Sequence, residues 1–365
     1  MKSFRKTLTL AAAGAALGFM SATPVLAADS ITVVSWGGAY TRSQVKAYHE
    51  PFEKKTGIKI NSEDYNGGIA QIKAQVDSGN VKWDVVDLEP SDVQRACDEG
   101  LLEVLDHSML PPAPDGTPAT QDFVEGALND CAVATIIWST VYAYDKTKFP
   151  GGGPKTIADF FDTKKFPGKR ALRKTPLVNL EWALMADGVP TDKVYEVLAT
   201  DEGVDRAFKK LDTIKDQVVW WEAGAQPPQM LADGEVAMAS AYNGRLFNAI
   251  AKENKPFEIV WDGQVWSIDM WGVVKGTPNM DAALEFVKFS TDTQRLADQA
   301  RWISYGPARK SSVPLITTHA ESGVEMMQHM PNTPEHFSNA LQTSVSFWTD
   351  NQDELNERFN TWLAR

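Results

Sequence analysis

The sequence predicts an α/β protein of two lobes, and three observations carry that prediction. Strand-like and helix-like runs alternate through the first third of the chain. A long β-branched run, Ala132 to Tyr144, is able to leave one lobe and enter another. No clean linker marks a border between halves, so the chain must cross between them more than once. At 365 residues the chain is long enough for two such bodies.

Taken in order, Ile31 to Ser35 reads as a strand that opens onto Trp36-Gly37-Gly38-Ala39-Tyr40. Arg42 to Thr56 carries apolar residues near helical spacing and stops at Gly57. Ile58 to Asn61 is a strand, Gly68 to Gly79 a helix, Trp83 to Leu88 a strand, and Asp92 to Glu99 a helix stopped at Gly100. Strand and helix in alternation describe a parallel sheet covered by helices. A proline-rich stretch, Pro111 to Pro118, interrupts the pattern before the long run at Ala132. Helices are predicted at Thr156 to Phe166, Leu180 to Gly188, Thr191 to Thr200, Val204 to Lys215, Met280 to Ser290 and Gln294 to Trp302. Short strands are predicted at Val218 to Trp221, Val236 to Ala241, Phe257 to Trp261 and Val265 to Val274, with a mostly helical C-terminal forty residues. Ligands of open α/β sheets sit beyond the carboxyl ends of the strands, so a cleft between two such lobes is where function is expected.

Residues 1–27 read as a secretory signal. Lys2, Arg5 and Lys6 precede the Ala-rich apolar run Leu8 to Met20, and Val25-Leu26-Ala27 supplies small residues for cleavage. The run is too short to span about 30 Å of hydrocarbon. Export implies an oxidising compartment, so Cys97 and Cys131 are expected to form a disulfide, worth on the order of 3–4 kcal/mol in the chain-entropy model. The net charge of −12 argues against a nucleic-acid or anionic-lipid partner.

Catalytic signatures are missing. Thr163 to Arg170 contains Gly168-Lys169 but lacks the first glycine and the final hydroxyl of a phosphate-binding loop. No G-x-S-x-G and no H-E-x-x-H occurs, and the five histidines show no metal spacing, so neither cofactor nor metal is expected.

Twelve tryptophans are many for this length, and Trp36, Trp83, Trp138, Trp220, Trp221, Trp266, Trp271 and Trp302 sit at strand ends. An indole there can wall a cleft, attract an ammonium by about 0.5–2 kcal/mol and cover an alkyl chain. Ordinary core packing is the competing explanation for any one of them. Asp87 and Glu89 lie where a strand ends, and Asp269 lies between aromatics in Trp266-Ser-Ile-Asp-Met-Trp271. A carboxylate among indoles needs a partner, and a ligand amine would serve.

These pieces resemble the periplasmic substrate-binding proteins of spermidine/putrescine-type ABC transporters. The resemblance rests on Val-Val-Ser-Trp36-Gly-Gly-Ala-Tyr40, Phe52 to Ile60, Trp83-Asp-Val-Val-Asp87, Asp98-Glu-Gly-Leu-Leu, Asp233-Gly-Glu-Val-Ala-Met, Ala241-Tyr-Asn-Gly-Arg245, Ser267-Ile-Asp269 and Ile303-Ser-Tyr-Gly-Pro307. It implies a two-lobed, type II Venus-flytrap fold with discontinuous lobes: 28–138 plus 270–306, and 139–269 plus 307–365. It also implies that the protein is no enzyme. The protein would be a monomer in the periplasm of a Gram-negative bacterium, capturing an amine-bearing small molecule, a polyamine such as putrescine or spermidine, between its lobes and passing it to a membrane permease. Trp36 and Tyr40 match the aromatic pair after the first strand, Tyr242 stands where the family has tryptophan, Asp269 matches an amine-holding carboxylate, and Tyr305 a pocket tyrosine. Trp348 matches a C-terminal pocket residue more loosely.

One stretch departs from the family. The loop Ala171 to Asn179 carries Arg173 and Lys174 where polyamine binders place acids, and Arg245 adds a further cation. An arginine fork suits a carboxylate. Asp269 at one end with Arg245 or Arg173 at the other would fit an ω-amino acid such as 4-aminobutyrate. A diamine would instead give its second amine to Glu89 or Glu222. The candidate set is therefore Trp36, Tyr40, Glu89, Arg173, Trp221, Glu222, Tyr242, Arg245, Asp269 and Tyr305. A receptor for iron or sugar, or a hydrolase using Asp269 with Glu89 or Glu222, are the remaining alternatives.

Overall fold

The computed structural model describes residues 28–365, and the stretch read as an export signal lies outside the described residues. Eleven strands form one twisted sheet: β1 (Ser30–Ser35), β2 (Lys59–Asp64), β3 (Val85–Leu88), β4 (Leu128–Asn129), β5 (Ala132–Asp145), β6 (Arg170–Arg173), β7 (Val218–Trp221), β8 (Met238–Tyr242), β9 (Phe257–Val273), β10 (Gly306–Pro307) and β11 (Ala340–Gln342). The main order is β2-β1-β3-β9-β5-β8-β6-β7. Parallel strands therefore make each flank, β2-β1-β3 and β6-β7, with the antiparallel β9-β5-β8 between them.

Hydrophobic burial sorts the chain into two bodies. One apolar cluster gathers residues between Ile31 and Ile137 with Ile268 to Ala308. A second gathers Tyr142 to Val265 with Leu341 to Trp362. Only β5 and β9 run through both, and a third cluster, with Tyr40, Trp138, Trp221, Tyr242, Ile303 and Tyr305, lies where they cross. Disulfide Cys97–Cys131 ties the helix Pro90–Asp98 to the start of β5, as the compartment argument expects.

The differences from the sequence reading have physical causes. The two strands expected at 257–261 and 265–274 are one strand of 17 residues. Its pairing with β5 jumps from Thr140↔Val265 to Tyr142↔Val260, so the Asp262-Gly263 break in the pattern is a bulge, not a turn. Gly263 takes φ +73° there, with Ile157 packed where a Cβ would stand. Ala171 to Arg173, read as the start of the loop Ala171 to Asn179, belong instead to β6, a strand inside the sheet. The Arg170 guanidinium donates to backbone carbonyls, of Phe160 at 2.7 Å, Gly168 at 2.6 Å and Phe166 at 2.7 Å, which take the place of water around it. In the first long helix a wide turn, Val45–His49, precedes Pro51, which has no N–H to return to the turn before it. Of the C-terminal forty residues only Val345–Leu363 is a long helix.

The stretch after residue 306, assigned from sequence to the second lobe, first packs on the other one. Ala308 joins the first cluster, and Arg309 forms a fully buried ion pair with Asp122 at 3.2 Å. Asp122 also accepts from the Ser311 amide at 2.8 Å and hydroxyl at 2.6 Å. Removing one partner of a buried pair strands the other charge, at about 3–5 kcal/mol. Asp122→Ala is therefore expected to lower the free energy of urea unfolding by about that amount, whereas Asp122→Leu with Arg309→Met should recover most of it.

Candidate functional site

The crossing of the two lobes brings one cavity together. Trp36 and Tyr40 follow the carboxyl end of β1, Glu89 follows β3, Tyr242 ends β8 and Arg245 follows it, and Trp138 and Asp269 lie on the paired strands β5 and β9 where they pass between the lobes. With Tyr305 these residues enclose a space of only about 20 Å³, far below the roughly 300–1,000 Å³ of pockets for drug-sized ligands, so the side chains stand nearly closed on one another. The walls are aromatic: Trp138 stands edge-on to Tyr242 at 5.1 Å between centroids, and Tyr40 edge-on to Tyr305 at 5.4 Å. Gly67, at φ +90°, leaves its α-carbon bare where the Trp36 ring lies, so the indole lies against the loop backbone.

Asp269 is aimed by a second bulge. Ala134 pairs with Met270 but Ile136 with Asp269, so Thr135 is the extra residue beside it. The carboxylate accepts from the Trp138 indole N–H at 2.7 Å and, among the described residues, has no ion-pair partner. Burial, then Asp87 and Glu89, hold its carboxyl well above the usual carboxylate range. A positively charged ligand group would relieve this directly.

Two arginines cross the gap in the opposite sense. Arg245 donates to the carbonyls of Gly37 and Trp36, each at 2.9 Å, and so links the lobes. A guanidinium has five donors, and these bonds use two of them. Arg173 lies over the Trp36 ring at 5.9 Å and the Tyr242 ring at 6.0 Å, and pairs with Glu89 across the lobes at 3.3 Å. That pair separates the cavity from a wider mouth lined by Asn66, Asp92, Lys174, Glu222, Trp348 and Gln352.

Seven of the ten candidate residues meet in the cavity itself: Trp36, Tyr40, Glu89, Tyr242, Arg245, Asp269 and Tyr305. Arg173 stands at its mouth. Two fall elsewhere. Trp221 is fully buried behind Tyr242, with its N–H on the Ser240 hydroxyl at 3.1 Å, because β7 turns that face into the core. Glu222 is exposed on the outer rim and pairs with Lys174 at 3.1 Å. Trp348 reaches the mouth and donates to Glu181 at 2.8 Å. Trp138 was legible only as one of several strand-end tryptophans. Asp87, behind Tyr40, was legible as a strand-end acid but carried no role.

Two α/β lobes shut on a small cavity of aromatic, anionic and cationic side chains define a solute-binding protein of the two-lobed kind. The family model described as bacterial extracellular solute-binding protein matches residues 47–330. A gamma-aminobutyric acid-binding protein of Pseudomonas aeruginosa is 45% identical over 337 residues, 92% of each chain. A spermidine/putrescine-binding periplasmic protein of Salmonella typhimurium is 25% identical over 313 residues, 84% of each chain. Among solved structures, MotA of A. tumefaciens B6 in complex with glucopine superposes with a TM-score of 0.83 at 32% identity, covering 92% of this chain and 99% of that one. The Atu4243 GABA receptor gives 0.77 at 33%, covering 92% and 98%. The chain belongs to the bacterial extracellular solute-binding protein family; it is a substrate-binding component of ABC transport, not an enzyme.

The Arg173–Glu89 pair is largely buried, with 21% and 13% of the side chains exposed, and joins the lobes without holding either together. Glu89→Gln should therefore leave the thermal midpoint nearly unchanged and weaken inter-lobe contact by about 1 kcal/mol. Solution scattering should show a larger radius of gyration for ligand-free Glu89→Gln than for the parent protein; equal radii would remove the pair's role in closure.

Proposed function

We propose that the protein captures an ω-amino acid of the 4-aminobutyrate class between its lobes in the periplasm and delivers it, as a monomer, to a membrane permease. The observation that carries this reading is the placement of Asp269 and Arg245 on one aromatic cavity. The ammonium would face Asp269, the carboxylate would take free N–H groups of Arg245, and Tyr40, Trp138, Tyr242 and Tyr305 would cover the methylene chain. The relatives named for gamma-aminobutyric acid support the same ligand class. The acidic net charge supports a partner other than nucleic acid.

The reading also assigns the mechanism. Lobes of 28–138 plus 270–306 and of 139–269 plus the C-terminal helix would hinge on β5 and β9, with the stretch following residue 306 moving with the first. Ligand that contacts both lobes favours the closed form by its differential affinity for it. Release would follow when the permease separates Arg245 from the carbonyls of Trp36 and Gly37.

A polyamine is the second reading, supported by the surplus of acids around the cavity, Asp87, Glu89, Asp92 and Asp269, and by the polyamine-binding relatives. Calorimetry with 4-aminobutyrate, putrescine and spermidine separates the two. We expect 4-aminobutyrate to bind most tightly, and Asp269→Ala to weaken it by more than about 2 kcal/mol, because the desolvated ammonium loses its partner. Arg245→Ala should weaken every ligand through the lost lobe contact, but 4-aminobutyrate most. Tight putrescine binding that Arg245→Ala spares would establish the polyamine reading, and no binding of any amine would end both.

A further inference from the structure

Asp87 takes no part in the reading above, yet it is the most deeply buried acid near the cavity. Its Oδ2 accepts from the Gln44 amide at 2.6 Å and the Ser35 hydroxyl at 3.1 Å, while Oδ1 has no partner. The Tyr40 hydroxyl stands beside this carboxyl, itself without a well-aligned partner, and the same Tyr40 ring lines the cavity. Strand register places Asp269 nearby. Asp87 pairs with Trp271 across β3 and β9, so Asp269, two residues along β9, is the diagonal neighbour on the same face, a spacing of about 7–8 Å between α-carbons.

Among the described residues, neither carboxyl forms an ion pair with a cation. The donors to Asp87 are an amide and a hydroxyl, and the donor to Asp269 is an indole. The remaining charged and titratable groups that face Asp87 are Tyr40 and Tyr48 on the first helix, and Tyr65, whose hydroxyl donates to the Asp87 carbonyl. Those that face Asp269 are Glu89, Arg245, Tyr40, Tyr65, Tyr242 and Tyr305. Arg245 is the only cation in that set, and two carbonyls already engage it. Two uncompensated carboxylates so close in an apolar enclosure cannot both stay ionised at little cost, so a proton between them is the cheaper state.

We propose that Asp87 and Asp269 together hold one proton in the ligand-free protein, and that an incoming ammonium replaces it, so that capture of the amine releases a proton to solvent. This rests on the reading of the cavity as an amine site. The ligand stays an ammonium ion, the Asp87–Asp269 pair becomes fully ionised, and the proton leaves. Asp87 is a positioning residue: it acts through Tyr40 and Asp269 and does not touch the ligand. Burial raises the Asp87 carboxyl, and burial together with Asp87 raises Asp269, so the exchange falls in a range above that of ordinary carboxylates. The sign follows. Below that range the pair is protonated before binding, the ammonium must displace a proton, and affinity falls as pH falls.

Calorimetry of 4-aminobutyrate, with putrescine as the alternative amine, in buffers of different ionisation enthalpy reads this on the unmodified protein. The expected result is an apparent enthalpy that depends on buffer, reporting a substantial fraction of a proton released near pH 7. The dissociation constant should rise by up to about tenfold per pH unit below the window. In Asp87→Asn the proton release should fall and the pH dependence should move to lower pH, because Asp269 loses its like-charged neighbour but keeps its burial, with binding retained near neutrality. Binding whose enthalpy is the same in all buffers overturns the proposal and leaves the amine site standing. No heat with any amine overturns the amine site and the proposal together. Proton release undiminished in Asp87→Asn overturns the role of Asp87.

Discussion

A carboxylate cannot stay ionised in an aromatic enclosure without a partner, and Asp269 has only the Trp138 indole N–H. Much of the architecture around it follows from that constraint. The bulge at Thr135 turns Asp269 into the cavity, and β5 with β9 carry it to the place where both lobes can reach it. Burial there costs stability in the free protein. The same burial makes a cation bound there worth more than it would be in water, because the desolvation has already been met by the fold. The site is selective because it is unsatisfied.

The two arginines balance this deficit without cancelling it. Arg173 is committed to Glu89, and Arg245 to backbone carbonyls rather than to Asp269. A direct Arg245–Asp269 pair would have filled the cavity with its own salt bridge and left nothing for a ligand. Gly38 helps keep them apart: at φ +61°, its missing Cβ leaves room for the Arg245 terminal nitrogen to reach the Gly37 carbonyl. Charge separation is therefore built into the backbone as much as into side-chain choice.

Much of this was legible in the sequence, for identifiable reasons. Period and punctuation gave the strand–helix alternation of the first lobe, because its helices stop at glycines such as Gly57 and Gly79 while β1 and β3 are short apolar runs. Trp36 and Glu89 were legible as an indole and a carboxylate at strand ends, whereas Tyr40, Tyr242 and Tyr305 were legible only through the family resemblance. What failed was anything decided by a neighbour. β6 carries Arg170 and Arg173, and only backbone carbonyls from another loop make the first of these tolerable inside a sheet. The 17-residue β9 looked like two strands because a bulge and a turn share the Asp-Gly signal. Trp221 and Glu222 are adjacent on β7 and its edge, yet one faces the core and the other the solvent, a distinction that follows from pleat and not from composition.

The positions of the lobe contacts bear on how closure and specificity are joined. Arg245 holds the carbonyls of Trp36 and Gly37, and the Trp36 ring walls the cavity. A ligand carboxylate on the same guanidinium would therefore meet a group whose place is fixed only when the lobes are shut. A ligand that lacks the carboxylate leaves the arginine to its carbonyls and gains nothing from it. The affinity difference between two amines of equal length would then arise in the closed form alone, since in the open form Arg245 and Trp36 belong to separate bodies. Specificity in such a protein is a property of the closed state, and any substitution that shifts the balance toward the open state lowers discrimination together with affinity.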